Sequence, residues 1–210
     1  GKRSNVPSTL TKFWRFHQSG RKEGLVADSD RIKWDERYSG EPGLIAHPTW
    51  IGEFDDEIPR SGFGLDIATG SGRLAIWLAG RGLSVTAVDI SPVGLQLARR
   101  LSDHRGLHIE TVVSDLELGH LPENDFQVIT CFRYWQSDLF PVMFERLSPG
   151  GILIAEVATK PNLEKHDHPS ARYLAEPESL RAICSPLDFI YYQEAWFGDE
   201  ASARIVARKR

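Results

Sequence analysis

Three aspartates and a glycine-spaced turn stand in an order that suits a nucleotide-like ligand. In Gly64-Leu65-Asp66-Ile67-Ala68-Thr69-Gly70-Ser71-Gly72-Arg73-Leu74-Ala75 an apolar run ends in an acid, small residues follow, and an apolar pattern resumes. That is a strand entering a helix through a tight turn. Gly70 and Gly72 permit positive φ and close backbone approach, so a ligand can rest on Ala68, Thr69 and the two glycines beneath the helix N-terminus. Asp66 would repel a pyrophosphate there, whereas it suits a ligand carrying an ammonium group. Asp89 closes the next strand about 20 residues further on, where a carboxylate can accept both hydroxyls of a ribose. Asp115, in Ser114-Asp115-Leu116, can accept from an adenine amine while Leu116 packs against the ring plane. Alone, Asp89 would read as a helix cap and Asp115 as a turn residue. Their order along the chain is what favours a ligand.

The turn by itself is ambiguous. Gly70-x-Gly72-x-x-Ala75 also satisfies the dinucleotide pattern, and any tight strand-to-helix connection can resemble it. Beyond it, Thr130-Cys131-Phe132-Arg133-Tyr134-Trp135 ends a fourth strand. In open α/β sheets the ligand crevice lies outside the carboxyl ends of the strands. Phe132 and Arg133 are therefore expected at the reacting end of the ligand, and Arg133, Tyr134 and Glu156 are the candidates for orienting a second substrate. No residue stands out as a dedicated general base. His166-x-His168 is the nearest approach to a metal-ligand spacing, but it lacks a partner cluster, so no metal site is expected. Cys131 and Cys184 read as small buried apolar residues of a protein from a reducing compartment, which places it in the cytoplasm.

The elements that must position these residues follow from periodicity. Strands are expected at 63–68, 84–89, 107–112, 125–132 and 152–157, with helices at 72–81, 91–104 and 137–147 between the first five. Strand and helix alternate, so the sheet is expected to be parallel with helices on both faces. Pro149-Gly150-Gly151 ends the last of these helices before the fifth strand. Residues 176–184 read as a helix with Pro177 near its start, and 190–197 and 203–207 as an antiparallel hairpin around Gly198-Asp199-Glu200. The expected fold is a Rossmann-like, seven-stranded, mainly parallel sheet closed by that hairpin, an ending that weighs against a dinucleotide dehydrogenase. Before the core, residues 8–17 with Ser8 as cap, and 30–38 with Ile32, Trp34 and Tyr38 on a buried face, read as short helices joined by a stretch loosened at Gly20 and Gly24. They form an N-terminal arm or lid over 1–40, with the main domain at 41–210.

Composition fits this reading: 41% hydrophobic and 26% charged residues, net charge −4, and no apolar run long enough to cross a bilayer. Residues 1–40 hold nine Lys or Arg against five Asp or Glu. A basic arm can touch phosphates, but its density falls short of a dedicated nucleic-acid surface.

With these motifs in place, the chain resembles the class I S-adenosylmethionine-dependent methyltransferases. Residues 65–72 are similar to that family's first motif, with Ala68-Thr69 where many members have a glycine and another residue. Val88-Asp89-Ile90-Ser91 is similar to the second motif, and 147–153 to the turn into the fifth strand. The resemblance implies that Ile90 joins the cofactor site and that S-adenosylhomocysteine is the product. A narrower likeness to the tellurite-resistance and thiol methyltransferase branch covers most of the chain from residue 30. It is carried by Lys33-Trp34-Asp35-Glu36-Arg37-Tyr38, Phe132-Arg133-Tyr134 and the terminal 203–209, and implies that Trp34 and Tyr38 close over the methionine end of the cofactor. The expected activity is methyl transfer to a small-molecule acceptor such as a thiol or oxyanion. A methyltransferase docking RNA or protein through its basic arm, and a non-catalytic cofactor-binding protein, are the alternatives.

Overall fold

The computed structural model describes residues 23–40, 47–167 and 169–210. Among them, β1 (Phe63–Ile67), β2 (Ser84–Asp89), β3 (Ile109–Val113), β4 (Phe126–Phe132), β5 (Leu147–Ala158), β6 (Asp188–Phe197) and β7 (Glu200–Arg208) form one sheet in the order β3-β2-β1-β4-β5-β7-β6. β1 pairs in parallel with β2 and β4, while β7 inserts antiparallel between β5 and β6. The mainly parallel sheet and its closing hairpin are as the sequence pattern implies.

The helices are α1 (Glu23–Ser39), α2 (Arg73–Gly80), α3 (Pro92–Asp103), α4 (Leu139–Arg146) and the short α5 (Ser179–Ile183). α3 starts where its sequence dictates: Ser91 Oγ accepts from Gly94 N at 3.0 Å and Pro92 occupies the first turn, where its missing N–H costs nothing. Strand side chains alternate faces, so each strand feeds two cores. On one face Val85, Val128, Ile152 and Val206 meet Leu74 and Leu78 of α2, Leu95 and Ala98 of α3, and Ile51 and Ile58 around the 3₁₀ segment Thr49–Glu57. On the other, Leu65, Ile67, Ile129, Leu153 and Ile205 meet Leu139 and Met143 of α4 and Leu180 and Cys184 of α5. No helix among the described residues is long and apolar enough to cross a membrane.

Several boundaries differ from the sequence expectation. The third strand runs 109–113, displaced toward Asp115. Pro149-Gly150-Gly151 does not end a helix. The helix stops at Arg146 and these residues lie inside β5, where Gly150 has φ +75° and its N–H reaches Lys209 O at 2.9 Å. A register shift between Phe126 and Val128 on β4 absorbs the turn. The helix expected over 176–184 shrinks to five residues, because Glu178 takes φ +64° ahead of it and leaves Pro177 outside. Gly24 does not loosen the chain but lies within α1. Ile32 is 50% exposed rather than sharing a buried face with Trp34 and Tyr38, whose rings stack 5.9 Å apart. The helix expected at 8–17, together with Gly20, Pro42 and His168, lies outside the described residues.

α1 is fastened across the first half of the sheet. Asp35 Oδ1 accepts from Ser91 Oγ at 2.5 Å, which ties α1 to the start of α3, and Asp35 Oδ2 pairs with Arg31 at 3.2 Å. Asp30 Oδ2 takes Arg172 Nη2 at 2.6 Å and Tyr173 Oη at 3.0 Å, which fixes the preceding turn of the helix to the segment after β5.

Candidate functional site

From β1 the chain steps outward through β2 and β3 on one side, then returns to β4 and β5 on the other. The carboxyl ends of β1 and β4 therefore flank the point where the order reverses, and a crevice opens there. Asp66, Asp89, Thr130, Phe132 and Glu156 stand at or near those ends.

Asp66 is 2% exposed, yet its carboxylate is fully engaged. Thr130 Oγ1 donates to Oδ1 at 2.6 Å, while Oδ2 accepts from Thr69 Oγ1 at 2.5 Å and from Ala75 N at 3.1 Å. The acid thus caps α2 from a distance, locks the glycine turn and joins β1 to β4. Burial raises its carboxyl pKa to about 6 against these hydrogen bonds. Ala68 at φ +53°, Gly70 at +54° and Gly72 at +82° bend the chain between them. Any Cβ on Gly72 would run into Ala98 of α3, so this glycine sets how closely the two helices approach.

Asp89, 6% exposed, accepts from Gly70 N at 2.8 Å and Ser91 N at 2.9 Å, so the second strand's acid holds the turn of the first. Burial raises its carboxyl pKa, partly offset by these N–H groups, and the charge of Asp35 adds to the rise. Above the turn lies Tyr38: a Cβ on Gly70 would strike its hydroxyl, and one on Gly94 would come within 2.9 Å of its ring. Burial first, then Asp89, pushes the Tyr38 phenol well up. The Tyr38 side chain thereby packs directly over Gly70 and Gly94, with Trp34 stacked beyond it.

The other expected residues separate. Asp115 caps the 3₁₀ turn Leu116–Leu118, its Oδ1 accepting from Glu117 N at 3.0 Å, and it is brought beside β2 because Ser114 N donates to Asp89 O. Leu116 is 4% exposed and packs with Leu65 and Ile67 in the α4 face of the core. Ile90 follows Asp89 directly into the turn before α3. Arg133 has φ +57°, donates its N–H to Glu156 O at 2.8 Å and pairs its exposed guanidinium with Glu200 at 2.9 Å. Tyr134 packs against the opposite core, its hydroxyl donating to Gln136 Oε1 at 2.7 Å. Cys131 and Cys184 are both fully buried, and burial raises both thiol pKa values, that of Cys184 to about 12. The ring of His166 meets Asp199 O at 2.7 Å.

Arg204, Trp50 and Arg73, none of them expected from the sequence, complete the crevice around Glu156. Glu156, nearly buried, pairs with Arg204 at 2.8 Å and accepts from Trp50 Nε1 at 2.7 Å. Arg204 lies directly opposite Glu156 in the β5–β7 register, and its guanidinium sits 3.4 Å from the ring centroid of Phe197. Trp50 stacks on Phe132 at 5.9 Å and closes the wall with Phe54 and Tyr191. Arg73, at the first position of α2, forms no ion pair with a described residue, and burial followed by the charge of Arg133 lowers its pKa. Register pairing could have flagged Arg204 once the hairpin was placed; Trp50 and Arg73 carry no local signal.

Residues 65–151 match a family described as "Methyltransferase domain". A demethylmenaquinone methyltransferase of Thermus thermophilus is 33% identical over 97 residues, covering 43% of this chain and 44% of that protein, so the match spans less than half the curated relative's length. TehB from Haemophilus influenzae superposes with a TM-score of 0.70 at 16% identity, over 84% of this chain and 67% of that one. A SAM-dependent methyltransferase from Methanosarcina mazei does so with a TM-score of 0.61 at 19% identity, over 79% and 99% respectively. At such identities the superpositions establish the fold.

Proposed function

We propose that the chain, whose residues 65–151 match a methyltransferase domain and whose fold is shared with such enzymes, is a class I S-adenosylmethionine-dependent methyltransferase that transfers a methyl group to a small-molecule acceptor such as a thiol or oxyanion. The observation that carries the reading is the glycine turn at the carboxyl end of β1, held by the buried carboxylates of Asp66 and Asp89. Side chains on Gly70 or Gly94 would strike the Tyr38 ring that covers them, and the buried Asp89 carboxylate stands beside them with lone pairs to spare. These residues fit the adenosine half of S-adenosylmethionine, with Asp89 accepting from the ribose, Ile90 and Leu116 beside the base, and Asp115 available to its amine. Asp66, Thr69 and Gly72 shape the turn near the amino-acid end, where Asp66 supplies negative charge for the ammonium. Trp34 and Tyr38 make α1 a lid over it, and Phe132 and Arg133 face the reacting end.

S-adenosylmethionine supplies a methyl group already activated on a sulfonium. The chain therefore has to add position rather than a strong nucleophile, since holding acceptor and methyl in line removes much of the barrier as effective molarity. Arg133 and Glu156, joined through Arg133 N–H and Glu156 O, stand at adjacent strand ends and orient the acceptor, whereas Tyr134, packed against the other core, is turned away from that role. The ion pairs to Glu200 and Arg204 hold both side chains in place. A small acceptor is favoured because Trp50, Phe54 and Tyr191 wall the crevice on this side. The named acceptor of the Thermus relative, a demethylated quinone, is likewise a small molecule. The reading places the enzyme in the cytoplasm.

The test is transfer of radiolabelled methyl from S-adenosylmethionine across a panel of thiols, oxyanions, hydroxylated aromatics, RNA and protein. Label appearing in at least one small acceptor, and lost with Asp89→Asn, is the expected result. Label confined to RNA or protein, or cofactor binding without turnover on any acceptor, would overturn it.

A further inference from the structure

A row of side chains runs across four strands at the acceptor end of the crevice. Phe132 on β4 stands opposite Glu156 on β5, Glu156 opposite Arg204 on β7, and Arg204 opposite Gln193 on β6. Residues paired in this way share one face of the sheet and lie about one strand spacing, roughly 4.8 Å, apart. An apolar ring, a carboxylate and a guanidinium therefore follow one another in line. Trp50 lies beside the row, stacked on Phe132 and donating its Nε1–H to Glu156.

The pair at the centre of the row is only half used. Glu156 Oε2 takes both of the carboxylate's contacts, Trp50 Nε1 at 2.7 Å and Arg204 Nε at 2.8 Å. Oε1 accepts from no described residue and stays open to solvent. Arg204 is arranged likewise: its Nε is sealed against Glu156 as an ion pair, whereas neither Nη donates to a described residue and both stay open. The guanidinium is fixed all the same, 3.4 Å from the ring centroid of Phe197 and 5.3 Å from that of Trp50. What remains is the end-on fork of the two Nη groups, which matches the two oxygens of a carboxylate. The charges agree with this. Glu156 balances Arg204 and Glu200 balances Arg133, while Arg73, among the charges of Arg133, Glu156, Asp66 and Glu200, forms no ion pair with a described residue. Asp66 is committed to the glycine turn, so positive charge is in surplus at the acceptor end.

We propose that Glu156 and Arg204 together select the methyl acceptor, and that it is a small molecule carrying a thiol or hydroxyl beside a carboxylate on a flat ring. The inference rests on the methyl-transfer reading and narrows its acceptor. The acceptor's carboxylate takes the Arg204 Nη fork, its S–H or O–H donates to Glu156 Oε1, and its ring lies against the wall of Trp50, Phe54 and Tyr191. In the transfer a lone pair on that sulfur or oxygen takes the methyl carbon, and the carbon–sulfur bond breaks toward the departing sulfur. The attacking atom grows acidic as the methyl arrives, and its proton passes to Glu156 Oε1 and then to water. Glu156 is thus the proton acceptor, Arg204 sets specificity, and Trp50 holds the carboxylate in position.

2-Mercaptobenzoate is the probe, with 4-mercaptobenzoate and thiophenol as controls that move or remove the carboxylate. Calorimetry on the chain saturated with S-adenosylhomocysteine reads binding without turnover, and labelled methyl transfer reads the chemistry. 2-Mercaptobenzoate is expected to bind about tenfold or more tightly than either control. Arg204→Lys keeps a charge beside Glu156 but not the fork, and is expected to erase that preference. Glu156→Gln, assayed where the thiol is protonated, is expected to lower kcat by about 100-fold or more with KM little changed. Equal binding of either control, a preference that survives Arg204→Lys, or an unaltered kcat in Glu156→Gln would overturn the proposal, as would binding that S-adenosylhomocysteine prevents. The three ligands are compared on the wild-type chain, so that result stands even where a substitution unfolds it. Selective binding with no labelled product from any acceptor would overturn the methyl-transfer reading, and the proton role with it, while upholding the recognition pair. Labelled product from other acceptors without this selectivity would overturn the pair alone.

Discussion

Asp66→Asn is expected to alter the pH dependence of stability more than stability at pH 4. The carboxylate is 2% exposed and its pKa is raised from 3.8 to about 6, chiefly by burial, against hydrogen bonds from Thr130, Thr69 and Ala75. A carboxyl group whose folded pKa lies above its unfolded value contributes fully below the unfolded value. That contribution is lost as pH rises through the folded pKa, because the fold disfavours ionisation. At about 1.4 kcal/mol per unit, the wild type should lose roughly 2 to 3 kcal/mol through this group between pH 4 and 7. Asn cannot ionise, so its stability relative to wild type should improve by that amount over the same range. Other titrating groups are common to both proteins and cancel in the difference. Urea unfolding followed by tryptophan fluorescence at four pH values measures it. A wild-type-to-variant gap that stays constant from pH 4 to 7, or widens with pH in favour of wild type, would refute the reasoning. Either would mean that the three hydrogen bonds outweigh desolvation. The same titration tests the ammonium assignment, because a cationic group seated beside Asp66 should move its midpoint below 6 when S-adenosylhomocysteine is saturating.

Asp89→Asn removes one anionic acceptor from the pair of N–H groups at Gly70 and Ser91, which should cost about 1 to 2 kcal/mol. It should also weaken S-adenosylhomocysteine by more than about tenfold in calorimetry; unchanged affinity would sink the ribose assignment. Gly70→Ala forces a side chain into φ +54° and against the Tyr38 hydroxyl. A loss of about 1 kcal/mol from the backbone alone is expected, together with weaker cofactor binding that Tyr38→Phe partly restores. Arg81→Ala strips Asp55 and two backbone carbonyls of their donor at the end of α2, and guanidinium unfolding should show a loss of about 2 to 4 kcal/mol. Asp35→Ala should speed amide exchange in α1 without changing the global unfolding midpoint by more than about 1 kcal/mol, since its main contact is the single Ser91 hydroxyl.

The alternation of apolar runs, the glycine pair and the hairpin were legible without coordinates, because each is a local consequence of backbone chemistry and side-chain period. So was the order of Asp66, Asp89 and Asp115, which fixes three strand ends in turn. Local pattern failed where a distant partner decided the outcome. Pro149-Gly150-Gly151 reads as a helix stop, yet pairing with β4 and Lys209 draws it into β5. Ile32 reads as buried, yet α1 presents it to solvent, while Asp35 on the same helix reaches Ser91.

The strand–turn–helix unit and the acids around it follow from local sequence, since glycine's conformational freedom and the period of two act within a few residues. What those acids touch follows instead from packing between distant elements. Sheet order placed Glu156 opposite Arg204, chain reversal laid Tyr38 over Gly70, and packing of residues 49–57 brought Trp50 to the crevice. Contacts between residues tens of positions apart depend on how layers stack, and no local pattern encodes that.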